Sequence, residues 1–316
     1  MPINSDKPHL WKQDIRASVD QFNKWFMRFA PKAYRETRIR TTKHVEEALL
    51  HTKDLLDLAP ALLASHSGIL PTLRMCCCPP IARDRLTGLA GVSKSLVASM
   101  ESGTVPTRMP KQTLDQHLTQ ICSIFAQMLD ADIFPWLVAK QRPSKQERHR
   151  ASTIVADRLC GAVSDPIVRN AQEKRQLALI AAYLKRKGYV QKPNPTDKLL
   201  NEMEPGTFAF RMNVVVGSDH KVNIPIDVVV QPKKPRPALL PVLIEAKSAG
   251  DFTNVNKRRK EEAAKMHQLK TTHGPHVEYI LFLCGYFDSG YLGYEAAEGI
   301  DWIWEHRIED FEQLGL

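Results

Sequence analysis

The 316-residue sequence predicts a mixed α/β chain of the α+β kind. A mostly helical first half precedes a mixed β-sheet flanked by helices. Three observations predict this. Apolar residues recur at helical spacing before Met203 and in period two, or in short runs, after it. A basic helical segment lies between two of the later runs, as in a β-α-β crossover. The composition, 43% hydrophobic and 25% charged, is that of a soluble globular chain long enough for about two domains.

The elements follow in order. Asp14–Phe29 places Ile15, Val19, Phe22, Trp25, Phe26 and Phe29 on one helical stripe. Thr42–Leu63 and Lys111–Leu129 repeat that pattern. Gln141–Arg150 is polar and basic and reads as a linker. Asp165–Lys187 is a fourth helix, with Asp165 as its N-cap and Pro166 in its first turn. Phe208–Val216, Val222–Val230, Pro241–Lys247 and Val277–Cys284 read as strands. Residues 217–220 form a hairpin turn between the first two, and Thr253–Lys270 is the crossover helix. The division expected is 1–160, a helical DNA-binding and recognition region, and 161–316, the sheet-based core.

Lys and Arg number 44 against 35 Asp and Glu, a net charge of +9. Seven acids against one Arg lie from Tyr291 onward, so the remainder carries 43 basic and 28 acidic residues, or +15. A basic body with an acidic end suits a polyanion such as double-stranded DNA. A solvated basic surface without a ligand is the plainer alternative. No apolar run is long enough to span a membrane, and no secretory signal opens the chain. The six cysteines, three of them consecutive at 76–78, show no disulfide framework, which suits the cytoplasm. Neither a phosphate-cradling glycine loop nor a zinc-ligand spacing is present.

The chemistry gathers on two strands. Glu245 and Lys247 share one face of the fourth-quarter strand beside Leu243. An acid and a lysine in an apolar strand are costly to bury idle. Asp227 stands among β-branched residues on the preceding strand, which is expected to pair with this one. Two converging carboxylates repel unless a cation lies between them, and open oxygen ligands select Mg²⁺. A lysine two residues on can orient an attacking water at phosphorus. An Asp followed eighteen residues later by Glu-X-Lys is similar to the motif of the PD-(D/E)XK nucleases. The plain alternative is a structural Glu–Lys pair. Asp227, Glu245 and Lys247 are therefore the candidate catalytic residues, and Asp227, Glu245 and Glu173 the candidate metal ligands. Glu173 equally fits a polar outer helix face.

Candidate DNA contacts fall in three places. Asn254, Lys257, Arg258 and Arg259 lie at the start of the crossover helix, where helix dipole and cations favour phosphates. A solvated face balanced by Glu261 and Glu262 is the alternative. Arg169 lies on the helix before the sheet. Residues 84–103 have the texture of a helix-turn-helix, with Gly91 at the turn, Ser93 as N-cap and a core of Leu86, Leu89, Ala90, Val92, Val97 and Met100. Lys94, Ser95 and Ser99 then face DNA, and Leu96 reaches a thymine methyl. A plain core helix pair is the alternative there.

Longer strings carry a more specific resemblance. Met203–Phe208, Ile224–Asp227, Ile244–Asn254, Asn256–Glu262, Leu281–Phe287 and Gly290–Glu295, with Trp25-Phe26 and Pro79–Leu86, resemble the XamI-type type II restriction endonucleases of the PD-(D/E)XK superfamily. The chain departs from the general motif in that Ile226 separates Pro225 from Asp227. The resemblance implies a restriction-endonuclease-like fold and Mg²⁺-dependent cleavage of both strands of a short palindrome, leaving 5′-phosphate ends. The family's namesake reads a GTCGAC-type site, which becomes a candidate target. A homodimer and a cognate methyltransferase as genetic partner are expected. The competing readings are a repair or recombination nuclease without sequence preference, and a non-enzymatic helix-turn-helix regulator.

Overall fold

The computed structural model describes residues 2–193, 200–217, 220–234, 240–253 and 255–316, with backbone only at 201 and 256–258. The chain forms two compact units, one of Met1–Phe29 with Arg169–Leu316 and the other of Ala30–Val168. The expected division gave the first 29 residues to the helical region. They fold with the sheet instead, because the Asp301 carboxylate accepts the N–H groups of Ile3, Asn4 and Ser5. Arg307 reinforces this through Asp14, at 3.0 Å.

Unit Ala30–Val168 is helical. It holds the second part of α1 (Pro8–His51), then α2 (Pro60–Ser65), α3 (Leu70–Met75), α4 (Arg83–Ala90), α5 (Lys94–Glu101), α6 (Lys111–Met128), α7 (Pro135–Ala139) and the first part of α8 (Lys145–Arg186). One core joins them, with Leu63, Leu70, Leu73, Leu86, Leu96, Phe125, Phe134 and Val155 all fully buried.

Three expectations fail in the helices. α1 ends at His51 rather than continuing to Leu63, because Lys53, Asp54 and Leu55 adopt left-handed φ values of 48°, 59° and 68°. Thr52 Oγ1 accepts the Leu55 N–H, and the Trp136 indole donates to Asp54 O at 2.7 Å, which holds that turn. Pro166 opens no helix. It lies inside α8, which begins at Lys145 within the expected linker. An interior proline forfeits one backbone hydrogen bond. Here the buried residues on both sides of it, Leu159 and Cys160 before and Gln172 and Gln176 after, keep the segment helical. Finally, the acids from Tyr291 onward form no acidic end. Glu305 pairs with Arg175 at 2.6 Å, Glu312 with Lys187 at 2.5 Å, and Glu309 with Arg186, so these acids are paired with cations on and just after α8.

The other unit carries a six-stranded mixed sheet in the order β1-β2-β3-β4-β5-β6. Its strands are β1 (Val190–Gln191), β2 (Thr207–Val216), β3 (Val222–Gln231), β4 (Val242–Ala249), β5 (Glu278–Gly285) and β6 (Asp301–Trp304). The β2–β3 and β3–β4 pairs are antiparallel, and the remaining pairs are parallel. The four expected strands are all present, while the short edge strands β1 and β6 carry too little pattern to be read. The hairpin turn expected at 217–220 includes Ser218 and Asp219, which lie outside the described residues.

Both sheet faces are covered, as the unbroken apolar run of β5 requires. On one face Leu177, Ile180, Tyr183 and Leu184 of α8 meet Val228, Val230, Ile244 and Phe282. On the other, Met266 and Leu269 of α9 (Val255–His273), Leu292 of α10 (Ser289–Ala297) and Trp11 of α1 meet Leu243, Leu281, Trp302 and Trp304. Each fully buried large apolar side chain contributes about 1.5–3 kcal/mol. Gly285 ends β5 at φ 104°, where a Cβ would stand 2.1 Å from Ala249 O, so the close approach of β4 and β5 there requires glycine.

Among the described residues no helix is long and apolar enough to cross a membrane. All six cysteines are free.

Candidate active site

The site grows from a flaw in the sheet. The β3–β4 ladder pairs Val230 with Val242, Val229 with Leu243 and Val228 with Ile244, then stops. The next residues, Asp227 and Glu245, are carboxylates rather than ladder partners. Asp227 Oδ2 accepts the Ala246 N–H at 2.9 Å, satisfying a donor that the split sets free. The β2–β3 ladder is interrupted at the same level, running from Phe210–Val228 to Met212–Ile226 and skipping Arg211 and Asp227. Arg211 holds a left-handed φ of 53°.

Alternation shifts across this gap. Phe208, Val228 and Val230 face one core, and Met212, Val214, Ile224 and Ile226 face the other. Such a break re-aims side chains and ends pairing. A left-handed arginine costs about 1–2 kcal/mol, and here the strain accompanies the split that leaves Asp227 facing β4.

Glu245 and Lys247 share the β4 face of Leu243, as strand alternation predicts. Glu245 is 6% exposed. Its Oε1 accepts from Lys265 Nζ of α9 at 2.6 Å and stands 3.2 Å from Lys247 Nζ. Lys247 Nζ also stands 2.8 Å from Glu262 Oε1, again from α9. From the opposite face, Gln176 of α8 donates to Lys247 O at 3.3 Å and Phe282 O at 3.2 Å, tying the backbones of β4 and β5 together at this level.

The electrostatics follow from these neighbours. Burial, and then the Glu245 carboxylate, push Asp227 up from 3.8 to about 6, against the pull of the Ala246 N–H and Lys247. Burial draws the Lys247 ammonium down, but Glu245 and Glu262 outweigh it and hold Lys247 above its ordinary value. Lys247 is thus a fixed cation and hydrogen-bond donor rather than a base at neutral pH. Two carboxylates crowded beside one lysine have the chemistry a hard cation would take. Glu245 Oε2 is buried without a hydrogen-bond partner, which leaves a free ligand atom in that crowd. Among the described residues no three His, Cys, Asp or Glu side chains close on one point. A hard divalent cation does not need three, because it commonly takes one or two carboxylates and completes its shell with water and substrate phosphate.

The other expected site residues are scattered. Glu173 on α8 lies close enough to raise Asp227 and pairs with Arg211 at 2.7 Å. Arg169 is exposed on α8. Arg259 stacks over the Tyr294 ring of α10, 4.7 Å from its centroid. Asn254, and the side chains of Lys257 and Arg258, lie outside the described residues.

In the helical unit, α4 and α5 are joined through Gly91 at φ 64°, and Ser93 caps α5 by accepting the Leu96 N–H. Lys94 and Ser95 are exposed, and Ser99 is half-buried. Two assignments in this pair exchange places. Leu96 is fully buried and reaches no thymine methyl, while Leu89, expected in the core, is 45% exposed. The phase of α5 is set by Leu96, Val97 and Met100 together, and α4 turns Leu86 and Ala90 inward.

Sequence reasoning missed Glu262, Lys265 and Arg211. Glu262 was grouped with a solvated face, yet it is 1% exposed. The signal was present, because Val255, Glu262, Met266 and Leu269 lie on one helical stripe. A lone acid in that stripe marks a buried partner.

Comparisons with known proteins identify the family. The XamI restriction endonuclease family model matches residues 53–304. The type II restriction enzyme SalI of Streptomyces albus G is 55% identical over 313 residues, covering 99% of either chain. No solved structure matches the chain.

Proposed function

The chain belongs to the XamI restriction endonuclease family and is a type II site-specific deoxyribonuclease, and we propose that Asp227, Glu245 and Lys247 are the residues that cut DNA. The reading rests on one observation, the meeting of Asp227 with Glu245 and Lys247 where β3 and β4 part. Asp227 and Glu245 are the residues that would hold Mg²⁺, with Glu173 near enough to contribute. Such a cation would supply charge neutralisation and water polarisation at the scissile phosphate. Lys247, a fixed cation, would donate hydrogen bonds at the scissile phosphate and orient the attacking water opposite the leaving 3′-oxygen. The products are 5′-phosphate and 3′-hydroxyl ends.

Lys94, Ser95 and Ser99 on α5, with Arg169 and the first residues of α9, are the DNA contacts of this reading. The target is a short palindrome of the GTCGAC type. A two-fold homodimer suits the cutting of both strands of such a site. A cognate methyltransferase protects the same sites in the cytoplasm where the enzyme acts.

The test is digestion of a sequenced plasmid with Mg²⁺ and mapping of the ends. Discrete fragments with 5′-phosphates at one palindrome are expected. Lys247→Ala should abolish cutting while duplex binding persists, and unchanged cleavage in that variant would remove the mechanism. Smeared products from wild-type protein would favour a nuclease without sequence preference.

A further inference from the structure

The catalytic lysine is held by two acids from different elements, and only one of them is free for the task. Glu245 already accepts from Lys265 and is the proposed cation ligand. Glu262 has no such second duty. It comes from α9, its carboxylate stands 2.8 Å from Lys247 Nζ, and Oε2 is buried without a hydrogen-bond partner. Glu262 occupies a position in the buried stripe of α9 where an apolar side chain would pack against the sheet at no electrostatic cost. Replacing a buried ion pair by well-packed apolar groups is often neutral or stabilising, so stability alone does not account for a carboxylate at 1% exposure. We propose that Glu262 is the positioning residue for Lys247, holding its ammonium at the scissile phosphate when Glu245 is engaged elsewhere. The inference rests on the nuclease reading and extends that site from two strands to the helix that follows them.

The experiment compares wild type and Glu262→Gln by single-turnover and steady-state cleavage of a cognate-site duplex in Mg²⁺. It adds duplex binding in Ca²⁺ and thermal melting. Failure of the wild-type protein to cut would dispose of the nuclease reading itself. If wild type cuts, the inference expects a folded Glu262→Gln with unchanged duplex affinity and KM and a cleavage rate lowered about 100-fold, the scale for misplacing a catalytic group by about 1 Å. A folded variant cutting within about threefold of wild type would overturn it, as would a loss matched by the fraction of inactive protein in a burst titration. If Glu262→Gln does not fold, the double variant with Lys247→Met decides. Folding restored by removing the buried lysine supports the pairing, and a double variant that stays unfolded overturns it.

Discussion

Glu295 of α10 offers a quantitative test of the buried charge behind β4. Its side chain has no solvent exposure. Burial, followed by the Glu262 carboxylate, pushes its carboxyl from 4.5 up to about 8, against Tyr291 and Lys247. The folded protein therefore keeps a proton that the unfolded chain releases above about pH 4.5. Stability from this group is complete at low pH and is lost as pH rises toward 8. Within that window each pH unit costs about 1.4 kcal/mol, so pH 5 to pH 8 removes about 3–4 kcal/mol. Glu295→Gln is nearly isosteric and cannot ionise. Urea unfolding of both proteins at pH 5, 6, 7 and 8 isolates the effect, because the other titrating groups are common to both. Wild type should lose about 3–4 kcal/mol more than the variant over that interval. Stability–pH curves parallel to within about 1 kcal/mol would refute the argument.

Asp227→Asn removes one of two crowded carboxylates yet keeps an oxygen for the Ala246 N–H. The expected result is a higher Tm with Mg²⁺-dependent cleavage reduced to background, and a lower Tm would contradict the electrostatic account. In the helical unit, Leu96→Ala should cost about 2–5 kcal/mol in chemical denaturation, because the side chain is fully buried. Lys94→Ala, at an exposed position, should leave stability within about 0.5 kcal/mol. It should weaken duplex binding and flatten its dependence on salt, and unchanged salt dependence would take α5 out of the DNA contacts.

The grouping of Asp227, Glu245 and Lys247 was legible because each part of it is local or nearly so. Strand alternation puts Glu245 and Lys247 on one face whatever surrounds them, and consecutive strands commonly pair, which brings Asp227 opposite. The Gly91 turn and the Ser93 cap were legible for the same reason, being satisfied within a few residues of chain.

Other features depended on partners far away in sequence. Periodicity says which stripe of a helix is apolar but not what a polar exception within it meets. So Glu262 and Lys265 waited for α9 to dock on β4. The paired break at Arg211 and Asp227 arises from two strands yielding together, which neither strand's pattern announces. Pro166 reads as a helix start, yet it lies inside α8. The C-terminal acids look like an acidic end until Arg175 and Arg186 of α8, and Lys187 just after it, pair with them. Local chemistry thus determined the strands, the caps and the grouping of Asp227, Glu245 and Lys247. The electrostatic setting of those side chains was decided by tertiary packing, since the field at a buried charge comes from whatever folds against it.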